Sequence, residues 1–200
     1  FSMLPQRLQV DDIAQRRRPV SSRTGENLFW LGRYTERCEN AIRLARLTLE
    51  CLNGDEQSSP PLLHWLSQMA VANTLVLPSV PSADQARRVF ERSLVANLGS
   101  TDGATSVGYN LRALKMTASA VRERLSLEQW RVIVRAEEEV AAFCADQTTS
   151  GNYAVHKALQ MLKNSSAHMA AITGAQTDRM TRDDGWRLLS IGRHIERLGF

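Results

Sequence analysis

The sequence predicts an all-α protein, a mostly antiparallel bundle of about seven helices. Three observations carry that prediction. Apolar residues recur at alternating three- and four-residue spacings along most of the chain, which is the period of one helix face and not of a strand. Gly, Pro and Asn stops, with Ser, Thr or Asp starts, divide these stretches at intervals of a few helical turns. No alternating run is long enough for a strand, since Val10, Val20 and the Val76-Leu77 pair stand isolated.

Composition bounds the rest. Two hundred residues, 43% hydrophobic and 23% charged, suit one well-packed globular domain or two small ones. The net charge of +4 comes from arginines spread along every helix and not gathered on one face, so no nucleic-acid partner is expected. No apolar run approaches a membrane span and no apolar leader opens the chain, so no membrane partner is expected either. The cysteines number three and form no CxxC. Cys38 and Cys144 fall on apolar helical positions, as small buried hydrophobes would, and a reducing, cytoplasmic compartment is expected.

Residues 1–21, with Pro5, Asp11-Asp12 and Arg16-Arg17-Arg18-Pro19, predict a linker. The first helix covers Gly25–Leu52, capped by Ser21 or Ser22 and ended by Asn53-Gly54. Its seam is Leu28, Leu31, Thr35, Cys38, Ile42, Ala45, Leu49 and Leu52. A second helix spans about Leu62–Val76, burying Leu62, Leu66, Met69 and Val76. Ser82 and Gln85 form a capping box for the third, which buries Ala86, Val89, Phe90 and Leu94. Gly99–Thr105 is a plain loop that lacks a phosphate-binding signature. The fourth helix is placed at about Ser106–Leu125 and the fifth at Leu127–Ala145, the latter burying Trp130, Ile133, Ala136, Val140 and Phe143. Thr148–Asn152 is expected to turn. The sixth helix spans about Asn152–Thr173 and stops at Gly174. The seventh starts from Thr181 or Asp183 and runs to Phe200, in mid-pattern, which predicts further sequence beyond it.

One element occurs twice. Gly25, Gly32, Arg33, Glu36 and Arg37 return as Gly185, Gly192, Arg193, Glu196 and Arg197 in one gapless register. The same register matches Leu28, Leu31, Thr35 and Cys38 with Leu188, Ile191, Ile195 and Leu198, so both helices are expected to present one common face. On the first helix Arg33, Glu36 and Asn40 lie opposite the apolar seam, with Arg37 further round. Phe29 falls among those charges, and Trp30 and Tyr34 cover a further flank, so this part should be buried nearly all round. A mid-helix glycine costs about 1 kcal/mol against alanine. Its use at both Gly32 and Gly192 points to the close approach of another backbone or a ligand.

Two readings stay open. Arg33–Glu36 and Arg193–Glu196 form a buried ion-pair network that joins the two helices and fixes their register. Alternatively, Arg33, Arg37, Arg193 and Arg197 line a pocket for a carboxylate or phosphate, oriented by the glutamates and Asn40. A buried Glu36 or Glu196 with a raised pKa could serve as an acid or base, but no partner is positioned for it. The Glu-x-x-His pairs of di-iron bundles are absent, and His64, His156, His168 and His194 are scattered, so no metal or cofactor is expected. His168 flanks an apolar seam, as a satisfied core histidine would, and Glu137-Glu138-Glu139 suits a solvated helix face.

The stretch Ser22–Asn40 resembles the opening of the bacterial alpha-E family, an all-helical domain named for its Glu-Arg motif. Leu188–Leu198 is similar to the family's second such motif, and Val121–Ser126 followed by Trp130 to its middle segment. The resemblance covers about residues 21–200. Lys115, Met116 and Thr117 stand where the family tends to carry Arg, Glu and Asn, which weakens any site transferred from the middle helix. The resemblance implies a bundle that continues past Phe200. It also implies a preceding circularly permuted ATP-grasp ligase domain or neighbour, to which residues 1–21 would be the joint, and sometimes a transglutaminase-like companion protein. ATP binding would belong to the ligase. The implied function is an accessory or substrate-binding helical domain of an ATP-grasp amide or peptide ligase. The alternatives are a pathway enzyme using Glu36 and Glu196, or a scaffold without ligand.

Overall fold

The computed structural model describes residues 20–54, 58–100, 106–150 (148–150 as backbone only) and 154–200. Seven helices occur among them, and no strand: α1 Ser22–Asn53, α2 Pro60–Ala72, α3 Ala83–Asn97, α4 Val107–Ala120, α5 Leu127–Ser150, α6 Val155–Asp178 and α7 Asp184–Gly199. A 3-10 turn, Arg122–Arg124, joins α4 to α5.

α1 is the hub. At 32 residues it is about 48 Å long, enough to take α4, α6 and α7 along its sides and α2 and α3 toward its C-terminal end. Its predicted seam is buried throughout: Leu28, Leu31, Thr35, Cys38, Ala45 and Leu49 have no exposed surface. Leu111, Leu114 and Ala118 of α4 and Leu162, Met169 and Ile172 of α6 belong to the same core. Each such leucine contributes about 2 kcal/mol by leaving water. α5 backs this layer by pairing antiparallel with both neighbours. Glu139 meets His168 and Asp146 meets Lys157 across α5 and α6, while Lys115 meets Glu137 across α4 and α5.

Local signals place most of the helix starts. Ser21 Oγ accepts from the Thr24 amide at 3.1 Å, Ser106 Oγ from Tyr109 at 3.1 Å and Ser126 Oγ from Gln129 at 3.1 Å. Of the two candidates for α7, Asp183 is the cap and accepts from the Trp186 amide at 3.0 Å. Its other oxygen takes Arg124 Nη2 at 2.5 Å, tying the α4–α5 turn to the start of α7. Burial pushes the Asp183 carboxyl up, but the hydrogen bonds from Arg124 and the Trp186 amide outweigh it and hold the group below its ordinary range. Asp183→Ala removes cap and ion pair together and is expected to destabilise by about 1–2 kcal/mol. A midpoint in urea unchanged from wild type would contradict this.

Several predicted boundaries move. α2 starts at Pro60 and ends at Ala72, because proline suits a first helical turn and Thr74 adopts positive φ just after it. It buries Leu63, Leu66, Ser67 and Ala70, while Leu62 is exposed. Ser82 makes no side-chain cap bond, so the capping box does not form. α3 bends at Ala86 (φ −145°, ψ 69°), which rotates Val89 out to solvent. α4 ends at Ala120, five residues earlier than expected, although Val121 and Leu125 stay buried beyond it. α5 continues through Thr148–Ser150, and α6 runs through Gly174 to Asp178. Gly174 does not stop the helix because nothing there demands left-handed backbone, and it lies at the surface with no atom near its missing Cβ. Residues 1–19, 55–57, 101–105 and 151–153 lie outside the described residues, so the expected linker, most of the 99–105 loop and the Gly151-Asn152 turn do too.

The largest departure is on α7. Leu188 is half-buried, but Ile191, Ile195 and Leu198 are 48%, 45% and 89% exposed. The expectation of a common buried apolar face therefore fails. α7 is held through Gly185, Leu189 and Gly192, the stripe beside its motif charges.

Candidate functional site: the paired Gly-Arg-Glu-Arg stripes

α1 and α7 run side by side in the same direction. Gly25 faces Leu188 and Gly185 faces Leu28. Two turns further on, a Cβ on Gly32 would strike the Leu189 carbonyl, and a Cβ on Gly192 would strike the Phe29 carbonyl. The register that aligns Arg33 with Arg193 also aligns Phe29 with Leu189, so each contact is the other's mirror. The two helices are related by a local two-fold axis along their length. This pair is parallel within an otherwise mostly antiparallel bundle. The mid-helix glycines are explained by backbone meeting backbone, and alanine would keep the axes apart.

That approach brings the charged residues across the seam. Arg33 Nε donates to Glu196 Oε2 at 2.5 Å and Arg37 Nε to Glu196 Oε1 at 2.6 Å. In the reciprocal half, Arg197 Nε donates to Glu36 Oε1 at 2.8 Å and its Nη2 to Oε2 at 3.0 Å. Arg193 Nε and Nη2 both reach Glu36 Oε2 at 3.3 Å. Each glutamate thus takes two arginines from the opposite helix. The pairing is crosswise and not Arg33 with Glu36 or Arg193 with Glu196. Within one helix those residues stand three apart and could meet, but the close approach offers each carboxylate two donors at once. Asn40 is buried beyond Glu36 and contributes no hydrogen bond to the cluster.

The Glu36 side chain is 4% exposed. Burial pushes its carboxyl up, yet the hydrogen bond from Arg197 and the charges of Arg193 and Arg197 outweigh that and hold it below the ordinary range. The expectation of a raised pKa is therefore reversed, and Glu36 is an ionised acceptor with both oxygens occupied. Both Glu196 oxygens are likewise occupied. Each carboxylate is therefore engaged by two fixed guanidiniums of the opposite helix.

Four guanidiniums against two carboxylates leave two positive charges in excess. On α1 that excess is covered by rings. Arg33 stacks over Phe29 at 5.9 Å and Trp30 at 5.5 Å, and Arg37 over Tyr34 at 5.7 Å. Such contacts are worth roughly 0.5–1 kcal/mol each where partly exposed. The sequence placed Trp30 and Tyr34 on a flank, but not over the arginines. At the matching places α7 carries Leu189, Ser190 and His194.

Sequence reasoning missed a second polar link. Gln176 of α6, 1% exposed, donates its side-chain Nε2 to Thr35 Oγ1 at 2.9 Å, and its backbone carbonyl accepts from the Trp186 indole at 2.9 Å. No motif marks a single glutamine on an apolar seam, so nothing in the sequence singled it out. The other candidates are structural. His168 pairs with Glu139 at 3.0 Å. Burial raises the Cys38 thiol strongly and the Cys144 thiol to about 11, which keeps both in the unreactive thiol form. Among the described residues, no three His, Cys, Asp or Glu side chains gather in a metal-holding group, and no helix is long and apolar enough to cross a membrane.

These features can be set against known proteins. No solved structure matches the chain significantly. It is 28% identical over 197 residues to the uncharacterized protein Rv2567 of Mycobacterium tuberculosis (strain ATCC 25618 / H37Rv), covering 88% of this chain and 21% of that protein. The uncharacterized protein Mb2597 of Mycobacterium bovis (strain ATCC BAA-935 / AF2122/97) matches at the same identity and coverage. The chain therefore spans about a fifth of the length of these curated relatives. The Alpha-E family model, described as a predicted alpha-helical domain with a conserved ER motif, matches residues 20–200. With its two Glu-Arg pairs meeting across α1 and α7, the chain belongs to the Alpha-E family.

Proposed function

We propose that this chain is a non-catalytic helical module that serves a circularly permuted ATP-grasp amide or peptide ligase in the cytoplasm, and that its two motifs act as a clamp. The observation that carries the non-catalytic part is the crosswise saturation of Glu36 and Glu196 by four arginines. A carboxylate organised for proton transfer is poised by burial or a like charge and not held between two fixed counter-charges, as Glu36 and Glu196 are. The link to a ligase rests on the resemblance carried by Ser22–Asn40 and Leu188–Leu198. The module would act by holding substrate or by supporting the ligase, and ATP chemistry would stay with the ligase.

The test is to assay the ligase of the same system with and without this module against amino acids and short peptides. The module is expected to change the rate or the product set. If both stay the same, the accessory role is lost. An amide-forming or hydrolytic activity of the isolated module, abolished by Glu36→Gln with folding intact, would overturn the non-catalytic reading.

A further inference from the structure

Where α4 runs along α1, the two helices leave a groove of about 500 Å³, a volume within the range of small-molecule sites. From α4 it takes Tyr109, Arg112, Met116 and Thr117, which recur at the spacing of one helix face, and from α1 it takes Asn27 and Tyr34. A helix face turned to water ordinarily carries several charges. This one holds two alanines and a methionine that is 67% exposed, with Arg112 as its one charge. Tyr34 and Tyr109 stand together at the Arg112 end, and Met116 lies about one turn further along α4.

The polar groups of this groove are accessible and unspent. Asn27, Tyr34 and Tyr109 are half-buried and Arg112 is exposed. Among the described residues, the Asn27 amide, the two phenol hydroxyls and the Arg112 guanidinium have no hydrogen bond or ion pair. Arg112 thus differs from the four clamp arginines, each of which is held by a glutamate. No acidic side chain among the described residues lines the groove. Arg37, which stacks on the Tyr34 ring at 5.7 Å, shares one carboxylate with Arg33 and adds to the positive field there. Burial, and then the nearby Tyr109 phenol, push the Tyr34 hydroxyl up. It therefore keeps its proton at neutral pH and is a hydrogen-bond donor. A free guanidinium flanked by neutral donors matches a monoanion such as a carboxylate, whereas a phosphate is ordinarily met by several cations or a helix N-terminus.

We propose that the α1–α4 groove binds a small carboxylate with an apolar body. The carboxylate pairs with Arg112 and accepts from the Tyr34 and Tyr109 hydroxyls, and the body lies over Met116 and the alanines toward Asn27. The site shares no residue with the clamp ion pairs and does not rest on the ligase reading. It is tested on this protein alone, so its failure would leave the ligase reading standing.

Calorimetric titrations of the full-length protein with 3-phenylpropionate and with hexanoate form one arm. The controls are 3-phenylpropanamide, which lacks the charge, acetate, which lacks the body, and phenyl phosphate, which is a dianion. At least one of the two carboxylates is expected to bind saturably, about tenfold or more tighter than the amide or acetate, and tighter than phenyl phosphate. Arg112→Gln should weaken that binding about tenfold or more at an unchanged melting temperature, because Arg112 has no partner among the described residues. Tyr109→Phe keeps the ring, removes one donor and should weaken binding about threefold or more. The proposal is overturned if neither carboxylate binds below about 10 mM. It is equally overturned if any control binds as tightly, or if Arg112→Gln leaves the affinity unchanged.

Discussion

Gly192→Ala is expected to lose about 3 kcal/mol or more, the upper range of overpacking. The new methyl would meet the Phe29 carbonyl, a backbone group that cannot rotate away. Accommodating it means parting α1 from α7, and the ion pairs on both sides would lengthen together. Gly32→Ala should behave the same way, because its Cβ meets the Leu189 carbonyl. Gly174→Ala is the internal control. It is the same substitution inside a helix, but with nothing within 4 Å. It should stabilise by about 0.5–1 kcal/mol through helix propensity alone. Urea unfolding of the three variants gives opposite signs if the glycines serve close approach. Equal small effects at all three sites would remove that explanation.

The second large effect is expected at Glu36. Glu36→Gln keeps the shape but leaves Arg193 and Arg197 without their counter-charge. Breaking one partner of a buried pair costs about 3–5 kcal/mol. Arg197 is itself more than half exposed, so its share of the loss is small, and about 2–4 kcal/mol is expected in total. Glu196→Gln should cost less, since Arg33 and Arg37 keep their ring contacts. A double-mutant cycle of Glu36→Gln with Arg193→Met should show coupling above about 1 kcal/mol. Additivity would mean the pair does not interact.

The pH dependence follows from the direction of the Glu36 shift. Its folded pKa lies below the ordinary value, so the unfolded chain takes up the proton first. The contribution of Glu36 is complete above the unfolded value of about 4.3 and is lost as pH falls through the folded one. Asp183 adds in the same sense. The stability gap between wild type and Glu36→Gln should therefore be constant near neutrality and close on acidification. A gap that widened in acid would contradict the ion-pair assignment.

How much of this could be read from the sequence differs from residue to residue. The α1 seam from Leu28 to Leu52 was legible because an apolar stripe of helical period leaves one way to leave water. Ser21 and Asp183 were legible among the cap candidates because capping is local chemistry, complete within three residues. The duplicated Gly-Arg-x-x-Glu-Arg named the partners at the heart of the fold. Its side-chain pairing was not legible, because one linear motif is compatible with bonds inside a helix or across to its copy. Only the approach of Gly32 to Leu189 and of Gly192 to Phe29 decides for the crossing.

Tertiary structure alone also decided which stripe of α7 is buried. Leu188, Ile191, Ile195 and Leu198 have the pattern of a core face, and Gly185, Leu189 and Gly192 have the pattern of a contact face. Periodicity detects both, and the neighbour chooses between them. The sequence by itself determined the helical class, most of the elements and the identity of the two motifs. Those depend on local propensity and on the apolar period of each segment. The parallel α1–α7 pair, the crosswise clamp and the Gln176–Thr35 link depend on which distant surfaces meet, and no spacing along the chain encodes that.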